Sequence, residues 1–300
     1  MANDREDFAP EIRNNAWWAS DTRQAVNGRA NEVVLTKLGL KEPVDLSDVE
    51  KVQMGHVLEP VIGRLAQDRL KMNLKEAPYM LTHPKEVWLK SHFDFISDDG
   101  KTLVEAKNYS ASVRNKFDTE ANIIPQADMA QLIHEATVHN VDNIVLAVLF
   151  GGQEFCTFSF TITQDQKDNL IRDMAVYWSH VIAKNPLPPE TPEQARLLYA
   201  TDDGTSVSAS LHIERIAEGL KKVKQVIKEH EEMEAGLLTA LQSHMGHHSQ
   251  LLSADGKILA TWKTSKGSKR FDANLFKKSM PDIYEGFMIE QLGSRRFLIK

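Results

Sequence analysis

Asp94, Glu105 and Lys107 have the residue types and spacing for metal-assisted hydrolysis of a phosphodiester. Asp94 ends His92-Phe93-Asp94, the other two lie in Val104-Glu105-Ala106-Lys107, and Ser97-Asp98-Asp99-Gly100 stands between. Asp-Gly flanked by apolar alternation is the strongest short-range hairpin signal. A two-residue turn at Asp99-Gly100 pairs Asp98 with Lys101. Counting outward sets Ile96 opposite Leu103, Asp94 opposite Glu105 and His92 opposite Lys107. Directly opposed side chains have Cβ atoms roughly 4.5–5.5 Å apart, so two carboxylates and a lysine share one face. Phe93, Phe95, Val104 and Ala106 take the other, toward a core. A slip of one residue would separate the acids. Two acids that close repel unless a cation lies between them, and hard divalent metals such as Mg²⁺ prefer carboxylate oxygen and water. A lysine on the same face could orient or activate a water. The same residues also suit an exposed hairpin with solvated charges.

The rest of the chain must supply a frame for that hairpin. Three hundred residues allow one large domain or two smaller ones. A hydrophobic share of 42% suffices for a core. No apolar run approaches the length of a membrane span, the first residues lack an apolar signal core, and the single cysteine, Cys156, excludes an intrachain disulfide framework. These features predict a soluble, cytoplasmic protein with no membrane partner. The net charge of −6 argues mildly against coating DNA by bulk electrostatics, yet leaves room for a local basic patch.

From Glu11 to Leu40 the pattern is helical, with Trp17 and Trp18 as packing residues and Gly39 at the end. Arg23 and Arg29 are solvated by default, but either could clamp a phosphate, which the guanidinium fork suits. Lys51 to Met72 reads as a second helix, with Pro60 acceptable only near its first turn. Glu59 borders its apolar stripe. It is either a carboxylate favoured by a helix N-terminus or a third acidic ligand. After the hairpin, Pro125 opens a helix through His139 that carries Gln131. Residues 143–150 form a continuous apolar run, the mark of a strand buried on both faces. Glu154–Ile162 alternates as the next strand, and Asp165–Lys184 is an amphipathic helix. The order helix, helix, hairpin, helix, strand, strand, helix predicts a mixed sheet with helices on its faces.

The proline-rich segment 185–192 marks a boundary, giving a core over 1–190, a linker and helical arm over 191–252, and a small basic segment over 253–300. In Leu211–Leu252, glycines 219, 236 and 246 favour a helical hairpin or bent arm over one rod. His244, His247 and His248 share a helix face, but with no fourth ligand in view they read as a solvated helix end. The last segment offers strand candidates at Lys257–Lys263 and Arg295–Lys300. Its lysines and arginines read as a solvated surface or as a clamp on the DNA backbone.

Asp94 with Glu105-Ala106-Lys107 resembles the PD-(D/E)xK nuclease signature. With Gly55-x-x-Leu58-Glu59-Pro60 upstream and Gln131 downstream, residues 15–190 resemble the YqaJ-like viral recombinase family of phage-type exonucleases. Trp262-Lys263, Arg270-Phe271-Asp272 and Arg295-Arg296-Phe297 resemble the C-terminal piece of longer members. The resemblance implies a restriction-endonuclease-like α/β core. It makes Asp94, Glu105, Glu59 and the Ala106 carbonyl metal ligands, gives Lys107 the attacking water, and places Gln131 beside the site. It implies a Mg²⁺-dependent exonuclease, Mn²⁺ substituting, that resects duplex DNA ends from the 5′ side for recombination in a bacterial cell hosting a phage or prophage. It also implies a single-strand annealing partner and a homo-oligomeric ring such as a trimer. The family's Gly/Ser-rich Arg segment is replaced here by Asn27-Gly28-Arg29-Ala30-Asn31, a departure from the pattern; Arg29, which Asn27-Gly28 would set at a turn or helix start, is expected to take the 5′-phosphate, with Arg23 second. A structure-specific or restriction-type endonuclease, or a non-catalytic DNA-binding recombination factor, are the alternative readings.

Overall fold

The computed structural model describes residues 10–46, 48–77, 80–289 and 293–300, and its chain divides between Tyr199 and Ala200 into two compact units. The first begins with α1 (Pro10–Asn14), β1 (Trp17–Trp18), α2 (Ala19–Gln24), a π-helical turn (Ala25–Arg29) and α3 (Ala30–Lys37). The single helix expected over 11–40 is therefore interrupted twice. Trp17 and Trp18 are both buried, which a strand permits by sending neighbours to opposite faces, and β1 pairs with a later strand through Trp17 and Leu89. At Asn27-Gly28 the helical path breaks, with Gly28 at φ +78°.

Next come α4 (Glu50–Leu70), β2 (Leu74–Glu76), β3 (Leu81–Thr82), β4 (Leu89–Ser91), β5 (Phe95–Ser97) and β6 (Thr102–Tyr109). Pro60 lies midway along α4 rather than in its first turn. The proline removes one backbone donor, and because His56 and Pro60 are both exposed, water can serve the carbonyl it leaves. A 3₁₀ turn (Ala111–Lys116) leads to α5 (Gln126–His139), β7 (Asn143–Phe150), β8 (Glu154–Thr161), α6 (Gln164–Ile182) and α7 (Pro192–Leu198).

The central sheet has the order β2-β5-β6-β7-β8. Its one parallel pair, β6 with β7, needs a crossover, which α5 supplies. Helices cover both faces. Phe95, Val104, Val145, Ala147 and Leu149 meet Ile62 and Ala66 of α4. Ile96, Leu103, Ile144, Leu146 and Val148 meet Leu132 and Ala136 of α5. Gly63 lets α4 lie flat on the sheet, since a Cβ there would stand 2.5 Å from the Phe95 ring. This is the mixed sheet flanked by helices that the element order implies.

The hairpin keeps the anticipated register, Phe95 with Val104 and Ile96 with Leu103. Its connection differs. Strand pairing stops at Ser97 and resumes at Thr102, with Gly100 at φ +70° donating to the Ser97 carbonyl at 2.8 Å. The Ser97 hydroxyl donates to Asp99 and accepts from the Thr102 N–H, so Asp98 and Lys101 are loop residues. His92, Phe93 and Asp94 precede β5, and Phe93 joins the α5-side core instead of sharing Phe95's face.

Around Asn31, the first unit extends past the proline-rich stretch. Its amide donates to the Pro188 carbonyl at 2.6 Å and to Gln194 of α7 at 3.1 Å. The second unit holds α8 (Leu211–Met245), an antiparallel pair β9 (Gln250–Leu252) and β10 (Ile258–Thr261), and the short helices α9 (Ala273–Ser279) and α10 (Pro281–Gly286). Residues 295–300 form no strand. The bent arm expected from the glycines is one helix of 35 residues. Gly219 and Gly236 cost roughly 1 kcal/mol each, which the Glu, Lys, Leu and Ala around them offset. Gly246 ends it at φ +53°.

Candidate active site

Alternation along β6 sends Glu105, Lys107 and Tyr109 to the face that carries α5. On α5, Asp128, Gln131 and Glu135 are spaced by three and four residues and so share one helix side. The two rows interlock. Glu105 is buried, and its Oε1 accepts from Lys107 Nζ at 2.5 Å and from Gln131 Nε2 at 2.7 Å. The same Gln131 nitrogen donates to Glu135 Oε1 at 2.8 Å. Asp94 Oδ2 accepts the Ala106 N–H at 2.7 Å, which ties it to β6 beside Glu105.

Burial raises the Asp94 pKa well above the usual carboxylate range, and Glu105 and Glu59 push it further; Lys107 and the Ala106 N–H offset only part. Glu135 is raised in the same way, by burial and then by Glu105. Burial works against the Lys107 ammonium, but Glu105 and Asp94 outweigh it and hold its pKa above that of free lysine. The pocket thus carries more carboxylate than its one ammonium neutralises.

Among the described residues, no three His, Cys, Asp or Glu side chains converge as a ready metal-ligand set. Mg²⁺, however, is commonly held by one or two carboxylates plus waters. Glu105 Oε2 and Glu135 Oε2 are buried without a hydrogen-bond partner among the described residues. An anionic oxygen so placed, beside a carboxylate that burial and neighbouring charge disfavour, fits a hard cation. Glu59, about a third exposed on α4, is 3.9 Å from His56 and acts on Asp94 through charge.

Sequence reasoning missed several neighbours of this cluster. Glu135 reads in isolation as one more helical acid; its signal is the four-residue step from Gln131. Tyr109 and Asp128 hold Arg23, whose Nε donates to Asp128 at 2.7 Å and whose Nη2 donates to Tyr109 at 3.1 Å. Tyr109 also donates to Asp128 at 2.8 Å, and burial pushes its phenol up to about 12. Arg13 of α1 donates to Ser20 at 2.8 Å and lies 4.4 Å over the Trp18 ring. Trp18 stacks on His92 at 4.9 Å, two residues before Asp94. Burial lowers the Arg13 pKa, and Asp21 restores only part. Arg29 is exposed and makes no hydrogen bond or ion pair among the described residues. The structure therefore brings Asp94, Glu105, Ala106, Lys107 and Gln131 together, sets Glu59 within electrostatic reach and Arg23 next to Tyr109, and leaves Arg29 apart from these contacts.

A buried relay fixes α5 behind the cluster. Trp17 Nε1 donates to the Thr22 hydroxyl at 3.0 Å, and Thr22 meets His134 Nδ1 at 2.8 Å. His134 Nε2 reaches the Lys90 carbonyl at 3.0 Å. Because a carbonyl only accepts, Nε2 carries the proton and Nδ1 accepts from Thr22.

Residues 11–142 match the YqaJ-like viral recombinase domain. Similar solved structures include an alkaline exonuclease, LHK-Exo, from Laribacter hongkongensis, at 10% identity and TM-score 0.47 over 58% of this chain and 92% of that one. The same enzyme in complex with dAMP aligns at 11% identity and TM-score 0.47, over 58% and 91% of the two chains. A phage related exonuclease from Haemophilus somnus 129PT aligns at 13% identity and TM-score 0.42, over 52% and 82%. No curated protein sequence matches.

Proposed function

We propose, from the match of residues 11–142 to the YqaJ-like viral recombinase domain, that the chain is a metal-dependent deoxyribonuclease that shortens linear duplex DNA from its 5′ ends. The observation that carries the reading is the buried Glu105 carboxylate, gripped by Lys107 and Gln131 at one oxygen and unpartnered at the other, beside Asp94. Asp94, Glu105 and the Ala106 carbonyl would hold Mg²⁺, with Mn²⁺ as a substitute and Glu59 adding negative charge. When bound, the cation polarises the phosphodiester and lowers the pKa of the attacking water.

The side chains divide the remaining work. The Lys107 ammonium stays protonated beside Glu105, so it donates hydrogen bonds. It can orient a water and stabilise charge that develops on phosphate oxygens. Gln131 fixes the rotamer of Glu105. Ala106 N–H fixes Asp94. The end phosphate is assigned to Arg13 with Ser20. Arg13 lies over Trp18, which stacks on His92 two residues before Asp94, whereas the Arg23 guanidinium is already committed to Asp128 and Tyr109.

The test compares linear and covalently closed plasmid in Mg²⁺. Loss of the linear form with the closed form intact supports an exonuclease. Cutting of the closed form would make this core an endonuclease, and no hydrolysis with retained DNA binding would make it a binding factor. Linear substrates with 5′-phosphate and 5′-hydroxyl ends then test the arginine. The phosphate preference should vanish in Arg13→Ala, and its full retention there overturns that assignment.

A further inference from the structure

Helix α8 is amphipathic, yet almost nothing on it is buried. Along its 35 residues only Met245 is turned fully inward, while Ile213, Ile216, Val223, Ile227, Leu237 and Leu241 are between 46% and 63% exposed. These six, with Leu220, share one stripe, which the equally exposed Val226, Met233 and Leu238 flank. The stripe residues fall on alternating steps of three and four, 213, 216, 220, 223, 227, then 237 and 241. That spacing is the seam of a coiled coil, running over four heptads from Ile213 to Leu241 with two positions that are not apolar. A seam repeating every 3.5 residues winds around a partner helix, whereas a helix face laid on a globular core follows the wider 3.6-residue stripe.

The two seam positions that are not apolar identify the partner. Continuing the same steps through the gap places His230 and Glu234 in the seam, one after the other. In a parallel pair, Glu234 would face Glu234 of the second copy and bury two like charges together. In an antiparallel pair centred on residue 232, His230 of each copy faces Glu234 of the other, twice by symmetry. The same register sets Ile227 against Leu237 and Val223 against Leu241. Sliding by one heptad in either direction instead places Glu234 against Val223 or Leu237, a buried carboxylate with no partner. On one flank Met233 meets its own copy across the axis. On the other, Glu231 meets its own copy at the solvent rim, where the repulsion is screened. Residues 219–245 then overlap for about 40 Å at 1.5 Å per residue, with Ile213 and Ile216 lying outside the paired length.

We propose that α8 is a self-association element, through which two copies of this chain pair as an antiparallel coiled coil with His230 of each against Glu234 of the other. The occupant of the exposed stripe is a second copy because the polar positions of the seam complement each other only in that arrangement.

The full chain is examined by sedimentation velocity and by disulfide trapping. Ile227→Asp puts a charge into the seam, and it should weaken association on the order of a hundredfold, while far-ultraviolet circular dichroism keeps the helical signal. Orientation is read from two single-cysteine variants, Ile227→Cys and Leu237→Cys, the native Cys156 being buried. Mixed and oxidised, they should form a disulfide between the two variants, and neither should crosslink to itself. A monomeric wild-type chain, or an association order unchanged in Ile227→Asp, overturns the proposal. So does self-crosslinking of each variant alone, which marks a parallel pair.

Discussion

Acidification should loosen the helix that carries Gln131 and Glu135, and His134 makes the effect calculable. The imidazole is fully buried, donates to the Lys90 carbonyl and accepts from Thr22. Burial, the largest influence, lowers its pKa to about 4 from an ordinary 6.5. Protonation would place a charge where water cannot reach. At pH 7 the ring is neutral in both folded and unfolded chains, so it costs nothing. Below pH 6.5 the unfolded chain takes up a proton that the folded chain refuses until about pH 4. Stability therefore falls across that window, by about 3 kcal/mol at its lower end, each unit of difference being worth about 1.4 kcal/mol. Urea unfolding is measured at intervals from pH 7 to pH 4 for the wild type and for His134→Gln. Comparing the two pH slopes cancels the carboxylates that titrate in both. The wild type should lose about 3 kcal/mol more than the variant over the window. Parallel slopes would refute the claim that His134 is held neutral by burial.

The crowded carboxylates should respond unequally to removal. Asp94→Asn deletes a charge that burial and two neighbouring acids disfavour, so metal-free stability should hold or rise while cleavage is lost. Glu105→Ala strands the Lys107 ammonium and should cost about 3 kcal/mol in a denaturant titration; equal stability of the two variants would contradict the geometry. Glu135→Ala frees Gln131 from its second acceptor and should lower kcat more than it raises KM, with partial rescue in Glu135→Gln, and an unchanged kcat would remove Glu135 from the site. Gly63→Ala forces α4 off the Phe95 ring and should cost about 1–3 kcal/mol, read as a lower urea midpoint.

Residues with strong local rules were legible from the sequence. Asp99-Gly100 set the register that brings Asp94 to Glu105, even though the connection is longer than a two-residue turn. The run 143–150 announced a strand buried on both faces, and Pro125 opened α5 as expected. Strands β2, β3 and β4 were not legible, because two or three residues cannot display a period. Glu135 was hidden for a related reason. A helical acid is ordinarily solvated, and only the fold of α5 onto β6 reveals that this one is buried. Arg29 was preferred for the phosphate because Asn27-Gly28 marks a kink, and the kink is there. Arg13 lies over Trp18, which stacks on His92, a tertiary relation that sequence spacing does not encode. In α8 the glycines suggested a break, but a long run of good helix formers outweighs two of them.

The central claim is that Asp94, Glu105 and Lys107 act as one hydrolytic unit on DNA ends. Its most direct measurement is single-turnover release of nucleotides from 5′-labelled linear duplex in Mg²⁺, with the wild type beside Lys107→Ala. The wild type should release the label as a mononucleotide in its first turnover, and Lys107→Ala should be slower on the order of a hundredfold or more at saturating DNA. Release from the Lys107→Ala chain at the wild-type rate, or label recovered only on longer fragments cut inside the duplex, would contradict it.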